Sequence, residues 1–285
     1  MIAVSPARPA SGDANFLPAG EVVLEGRFDL KERLGRGSMA DVFRAVDLAG
    51  GCDVAVKVAA DASPKHRARI DSEARILAAL DHPSIITFLG QGTMPVEGRW
   101  SGRPYLVEEL ALGSSLAATL SGPPCSPRDV ATWAGGLFDA LAYLHGKGMV
   151  HRDIKPGNLM LSGLRRSPVR VVDFGIAVDA GAAPEPGISS GTVHYMSPEQ
   201  ASGGAAQPSW DVYALGLVLL ELLTGTRAYS GTAVESLVAR TLRGPVIPTS
   251  LGSGWGELLH AVTAMGSADR PSAAEAAVKA RRLAR

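Results

Sequence analysis

One stretch constrains this chain more than any other: His151-Arg152-Asp153-Ile154-Lys155-Pro156-Gly157-Asn158, with Asp173-Phe174-Gly175 after it. Together these residues supply a carboxylate able to orient a hydroxyl (Asp153), a cation for phosphate (Lys155) and two oxygen ligands for a hard divalent ion (Asn158 and Asp173). Groups of these types suit phosphoryl transfer, where catalysis is mainly positioning and charge stabilisation.

Composition narrows the partner classes. A chain of 285 residues that is 46% hydrophobic can build one large domain or two lobes, and a soluble globular protein is expected. Lys plus Arg (28) balances Asp plus Glu (28), which offers no basic field for nucleic acid. The two cysteines, Cys52 and Cys125, form no disulfide framework and sit in no metal-ligand spacing, so a reducing cytoplasm fits. The strongly apolar run from Val212 to Leu220 ends at Glu221, far short of a membrane span.

With its motifs in this order, the chain resembles the eukaryotic-type (Hanks-type) serine/threonine protein kinases, and its alanine-rich texture looks like that of the bacterial members. The resemblance covers about residues 27 to 284. It implies an α+β, bilobal protein-kinase-like fold: a flexible arm over 1–26, then a kinase domain over 27–285. A small β-rich lobe with one helix would take 27–110, and a larger, mainly helical lobe 111–285.

Read in order, Phe28, Leu30 and Leu34, then Val42, Phe43, Ala45 and Val46, mark two strands flanking Gly35-Arg36-Gly37-Ser38-Met39-Ala40. Glycines there let the backbone approach a phosphate. Such a turn also suits a dinucleotide site or an ordinary hairpin, but a dinucleotide site needs a helix next, and Asp41 to Asp47 reads as a strand. Asp53 to Val58 is an apolar strand interrupted by Lys57, a lysine whose buried neighbours require an anionic partner. Ser63 and Pro64 open a helix with Ile70, Ala74 and Leu77 on its buried stripe and Glu73 beside them. Further on, Ser126-Pro127 starts a helix that ends near Gly146, and Trp210 to Leu223 reads as a buried helix. Thr232 with Glu235, and Ser272 with Glu275, form capping boxes.

The resemblance implies roles for particular residues. Asp153 and Lys155 would be catalytic, and Asn158 and Asp173 would hold Mg²⁺ or Mn²⁺. ATP would be held by Gly35, Gly37, Ser38, Val42, Ala55, Lys57, Glu73, Glu109, Ala111 and Met160. His151, Arg152, Glu199, Asp211 and Arg270 would be structural, with Asp211 bonded to the backbone around His151 and Arg270 paired with Glu199. Ala177 to Ser190 reads as a mobile loop, with Ser189, Ser190 and Thr192 as candidate autophosphorylation sites. Arg152 would receive such a phosphate. Gly191-Thr192 and Ser197-Pro198-Glu199 resemble the segment on which a peptide acceptor rests.

One position departs from the family's habit. Glu108 aligns with a residue at the rear of the adenine site that is usually apolar or a small hydroxyl; it either lines the pocket or points to solvent. The expected activity is transfer of the ATP γ-phosphoryl group to Ser or Thr of protein substrates. Two alternatives are a pseudokinase acting as a nucleotide-gated binding module and a small-molecule phosphotransferase. Taken as complete, the chain is expected to be cytoplasmic, without nucleic acid or membrane span, and a homodimer is left open.

Overall fold

A computed structural model describes residues 22–37, 39–163, 167–183 and 192–285. The chain divides into two compact units. The first takes the described part of Met1–Asp81, with Ile85–Ser114 and Asp173–Gly175; the second takes His82–Ser84, Ser115–Val172 and the described part of Ile176–Arg285.

The first unit is a six-stranded antiparallel sheet and one helix. Its elements are β1 (Val23–Leu24), β2 (Phe28–Arg36), β3 (Ala40–Asp47), β4 (Cys52–Ala59), α1 (Pro64–Ala78), β5 (Phe88–Thr93) and β6 (Pro104–Glu109), with strand order β1-β2-β3-β4-β6-β5. Alternation along the strands sorts the side chains onto two faces. Phe43 and Ala45 of β3, Val54, Val56 and Val58 of β4, and Tyr105 and Val107 of β6 join Phe28, Leu30 and Trp100 in one apolar cluster. The Trp100 ring meets Phe43 edge-on, 5.1 Å between centroids. Ala55 and Lys57 of β4, and Leu106 and Glu108 of β6, therefore fall on the opposite face. In α1 the Ser63 hydroxyl accepts the His66 N–H, Pro64 takes the first turn, and Ile70, Glu73, Ala74 and Leu77 make a buried stripe.

Two short strands differ from expectation. Val23 and Leu24 lie within 1–26, read from sequence as a flexible arm, yet they form β1 against Phe28 and Asp29, and Leu24 enters the apolar cluster. Residues 1–21 of that arm lie outside the described residues. Val178 and Asp179, within the stretch read as a loop, pair as β10 (Val178–Asp179) with β7 (Met149–Val150). Strands of two residues carry no periodicity; their partners make them.

The second unit is mainly helical. Its helices are α2 (Leu116–Thr119), α3 (Pro127–Gly146), α4 (Pro198–Ala201), α5 (Ser209–Thr224), α6 (Ala233–Leu242), α7 (Ser253–Val262) and α8 (Ala273–Leu283), and it also holds the antiparallel pair β8 (Leu159–Leu161) and β9 (Val169–Val171). Ser126, Thr232 and Ser272 cap α3, α6 and α8, the last two with full capping boxes. Helix α5 is buried on all sides from Trp210 to Leu223 and ends at Gly225 in the left-handed conformation. Helix α8 buries Ala273, Ala276, Ala277 and Ala280 and packs on α3.

Gly216 sets how closely α5 approaches the end of α7, because a Cβ there would lie 2.7 Å from both Val262 Cγ2 and Thr263 Cγ2. Gly216→Ala overpacks that contact and should cost about 1–3 kcal/mol of unfolding free energy in a urea titration. A variant as stable as the native chain would show that α7 retreats without penalty.

Candidate active site

In the first unit the functional groups gather on the sheet face that carries α1. Lys57 sits mid-strand in β4, paired with Val42 of β3 and Leu106 of β6. Its Nζ donates to both Glu73 oxygens at 2.8 Å and to Asp173 Oδ1 at 2.9 Å. The Glu73 side chain is 1% exposed, so neither partner could be buried alone at reasonable cost. Burial by itself would push the Lys57 ammonium toward its neutral form, but the charges of Asp173, Glu73 and Glu108 outweigh it and hold the pKa above the ordinary lysine value. Asp173 has φ +64°, a left-handed conformation unusual without glycine. Gly175 leaves room beside it, since a Cβ would sit 3.2 Å from Glu73 Oε2 and 3.3 Å from Asp173 Oδ1.

Glu108 shares this face. It pairs with Ala55 across β4 and with Phe88 across β5, and the residue is only 8% exposed. The solvent-pointing alternative is thereby excluded. Among the described residues, its Oε2 has no hydrogen-bond partner. Burial, then the neighbouring Glu73 charge, push its carboxyl up to about 8 against the pull of Lys57.

The other residues expected here sit as follows. Gly35 pairs with Val42 in the β2–β3 hairpin, and the Gly37 N–H closes the turn on Ala40 O at 2.9 Å. The Glu109 N–H is committed to Thr87 O at 2.8 Å. Ala111 is half-buried just past β6, and Ser38 lies outside the described residues.

In the second unit the loop after β7 is fixed by one carboxylate. Asp211, in the first turn of α5, accepts the His151 N–H at 2.8 Å and the Arg152 N–H at 2.9 Å, with His145 Nε2 at 2.9 Å. Arg152 is left-handed at φ +67°, which turns both N–H groups to one acceptor. Its Nε donates to Ile176 O, and its own carbonyl accepts from Gln200 Nε2 at 3.2 Å. Beyond it, Asp153 Oδ2 accepts from Lys155 Nζ at 2.7 Å and from Asn158 Nδ2 at 2.9 Å.

The Asn158 amide nitrogen also bonds Asp153 O at 2.9 Å, so its orientation is set. Its Oδ1 is buried and, among the described residues, unpartnered. A buried oxygen held in place with no donor of its own suits a hard divalent cation, as does a carboxylate such as that of Asp173. Among the described residues no three His, Cys, Asp or Glu cluster as a metal cage. Met160 of β8 is buried and bridges to Ser115.

The segment read as a peptide platform begins at the 3-10 turn Thr192–Tyr195. The Tyr195 hydroxyl donates to Glu221 Oε2 at 2.6 Å, Ser197 caps α4, and Arg270 grips Glu199 with two bonds of 2.6 and 2.9 Å. Ser189 and Ser190 lie outside the described residues. Sequence reasoning did not single out His145, Gln200 or Glu221. The first two act on backbone or on another side chain far along the chain, and in the sequence Glu221 marks only the end of an apolar run.

The elevated Glu108 pKa carries a sign. Between its ordinary value of 4.5 and about 8, the folded chain keeps a proton that the unfolded chain has released, so stability falls as pH rises through that window and levels off above it. Glu108→Gln cannot ionise; it should lose this part of the slope and exceed the native chain by about 2–4 kcal/mol at alkaline pH. Urea titrations of both chains below and above the window check this, and parallel slopes would refute the assignment.

The protein kinase domain model matches residues 28–279. Serine/threonine-protein kinase PknA of Mycobacterium tuberculosis is 36% identical over 239 residues, covering 81% of this chain and 54% of that protein. Probable serine/threonine-protein kinase SCO3848 of Streptomyces coelicolor is 38% identical over 228 residues, 77% of this chain and 33% of that protein. Serine/threonine-protein kinase PknB of Mycobacterium leprae is 36% identical over 234 residues, 80% of this chain and 37% of that protein. The chain thus spans about half or less of the length of these relatives. On the domain match and these identities, the chain belongs to the eukaryotic-type serine/threonine protein kinase family.

Proposed function

We propose that this chain is an ATP-dependent protein kinase that transfers the γ-phosphoryl group of ATP to Ser or Thr hydroxyls of protein substrates, with residues 27–285 as the catalytic domain. The observation that carries the reading is the triangle around Asp153: its carboxylate is held by Lys155 at 2.7 Å and by Asn158 at 2.9 Å, each of them a group the reaction requires. The names of the bacterial relatives support the same chemistry.

In this reading Asp153 accepts a hydrogen bond from the acceptor hydroxyl and aims its oxygen at the γ-phosphorus. A bond forms between that oxygen and phosphorus as the bond to the leaving ADP oxygen breaks, and the hydroxyl proton departs by way of Asp153. Lys155 places a positive charge beside the transferring group. Lys57, fixed by Glu73, holds the other phosphates. Mg²⁺ or Mn²⁺, taken by Asn158 and Asp173, would neutralise the phosphate charge. The Glu109 carbonyl and Ala111 are assigned to adenine, with Gly35, Gly37, Ser38, Val42, Ala55 and Met160 around the nucleotide. Ser189, Ser190 and Thr192 are the proposed autophosphorylation sites, with Arg152 as the phosphate's partner. Among the described residues no helix is long and apolar enough to cross a membrane, and a cytoplasmic location is part of this proposal.

The test is transfer from labelled ATP with Mg²⁺, on the chain itself and on a basic acceptor protein. The native chain should label Ser or Thr, and Asp153→Asn should lower the rate by about 10²-fold or more. Mass spectrometry should find phosphate on Ser189 or Ser190. No transfer by the native chain with ATP still bound would replace this reading with a nucleotide-gated binding module.

A further inference from the structure

Arg240 is the largest fully buried side chain among the described residues, at 0% exposure. A buried guanidinium ordinarily meets a carboxylate. Here its donors go elsewhere: Nη1 to Met196 O at 2.7 Å, Nη2 to His194 O at 2.8 Å and to Ser236 Oγ at 2.7 Å, and Nε to Ser236 O at 3.1 Å. The charge is spread over backbone dipoles and over the Tyr229 ring, 5.3 Å from its centroid. Ser236 and Arg240 are the only buried residues of α6, so this contact is the main business of that helix.

A second arginine does the same work at the other end of the segment. Arg270 holds Glu199, and its guanidinium lies 4.6 Å over the Tyr213 ring. The Tyr213 and Tyr229 hydroxyls are 3.0 Å apart, so the two arginines rest on a joined pair of buried tyrosines. Between them, the carbonyls of the two residues flanking Tyr195, His194 and Met196, are held by Arg240, while the Tyr195 hydroxyl is held by Glu221.

We propose that Arg240 is a positioning residue for the protein acceptor: its planar fork fixes the carbonyls of His194 and Met196 and thereby shapes the surface on which the acceptor lies. The inference rests on the reading of residues 192–199 as the acceptor platform. A lysine could keep the charge, but its point-like ammonium does not match two carbonyls and a serine side by side, so Arg240→Lys should rescue only part of the effect.

The experiment is steady-state phosphate transfer by the full chain, varying ATP and a basic acceptor protein separately, for the native chain, Arg240→Lys and Arg240→Met. The acceptor KM should rise about tenfold in Arg240→Met and less in Arg240→Lys, with the ATP KM unchanged. A native acceptor KM in active variants would overturn the proposal while leaving the kinase reading intact. An equal rise in both KM values would also overturn it, assigning Arg240 to the general stability of α6. If Arg240→Met fails to fold, Arg240→Lys decides between the same outcomes. A native chain that transfers nothing removes the platform reading and this proposal together.

Discussion

The second unit depends on the carboxylate of Asp211. It sits in the first turn of α5, a helix buried on every side, where an acid has no water to pair with. Burial alone would raise its pKa, but hydrogen bonding from His145, with further help from His151, holds the carboxyl below its ordinary value. The ionised group then gathers three donors from two places: the last turn of α3 and the backbone after β7. The helix N-terminus adds its own positive potential. Arg152 adopts a left-handed backbone that costs on the order of 1–3 kcal/mol for a side-chain-bearing residue, and the two hydrogen bonds to Asp211 offset that strain. Asp153 follows immediately, so its position is inherited from this arrangement.

The two units meet the problem of buried charge differently. In the first, a single ammonium is surrounded by acids: Glu73 and Asp173 in contact, and Glu108 close enough to feel its field. Acids exceed cations there, and burial together with the Glu73 charge pushes the Glu108 carboxyl up to about 8. In the second unit, Arg240 is a cation with no carboxylate against it among the described residues, and the compensation comes from carbonyls, a hydroxyl and an aromatic face. Both solutions obey the same rule, that a buried charge persists only where every part of its desolvation is answered.

Much of this was legible from sequence, for local reasons. A Ser-Pro pair starts α1 and α3, and capping boxes start α6 and α8, because the signal and its effect lie within one turn. The spacing of Lys57, Glu73, Asp153, Asn158 and Asp173 carried the site through resemblance. What stayed hidden is non-local. Whether Glu108 faced Lys57 or solvent turned on strand register, which depends on the pairing of Glu108 with Ala55. Val23–Leu24 and Val178–Asp179 are strands only because a partner lies beside them. Nothing in the sequence marks Arg240, since two of its partners are the carbonyls of His194 and Met196 far back in the chain, and carbonyls leave no mark on a sequence.

The packing of α8 on α3 has a mechanical consequence. Ala273, Ala276, Ala277 and Ala280 present nothing beyond Cβ, and on α3 the facing Gly135 would bring a Cβ within 3.1 Å of Arg281 Cγ. An interface of leucines can absorb an error by changing rotamers, whereas bare Cβ atoms have no rotamers to change. The separation of these two helices is therefore set along this row by alanine Cβ atoms, with the stem of Arg281 lying against Gly135. Since α3 ends by delivering His145 to Asp211, the bearing of the loop after β7 is calibrated in part by a row of alanines.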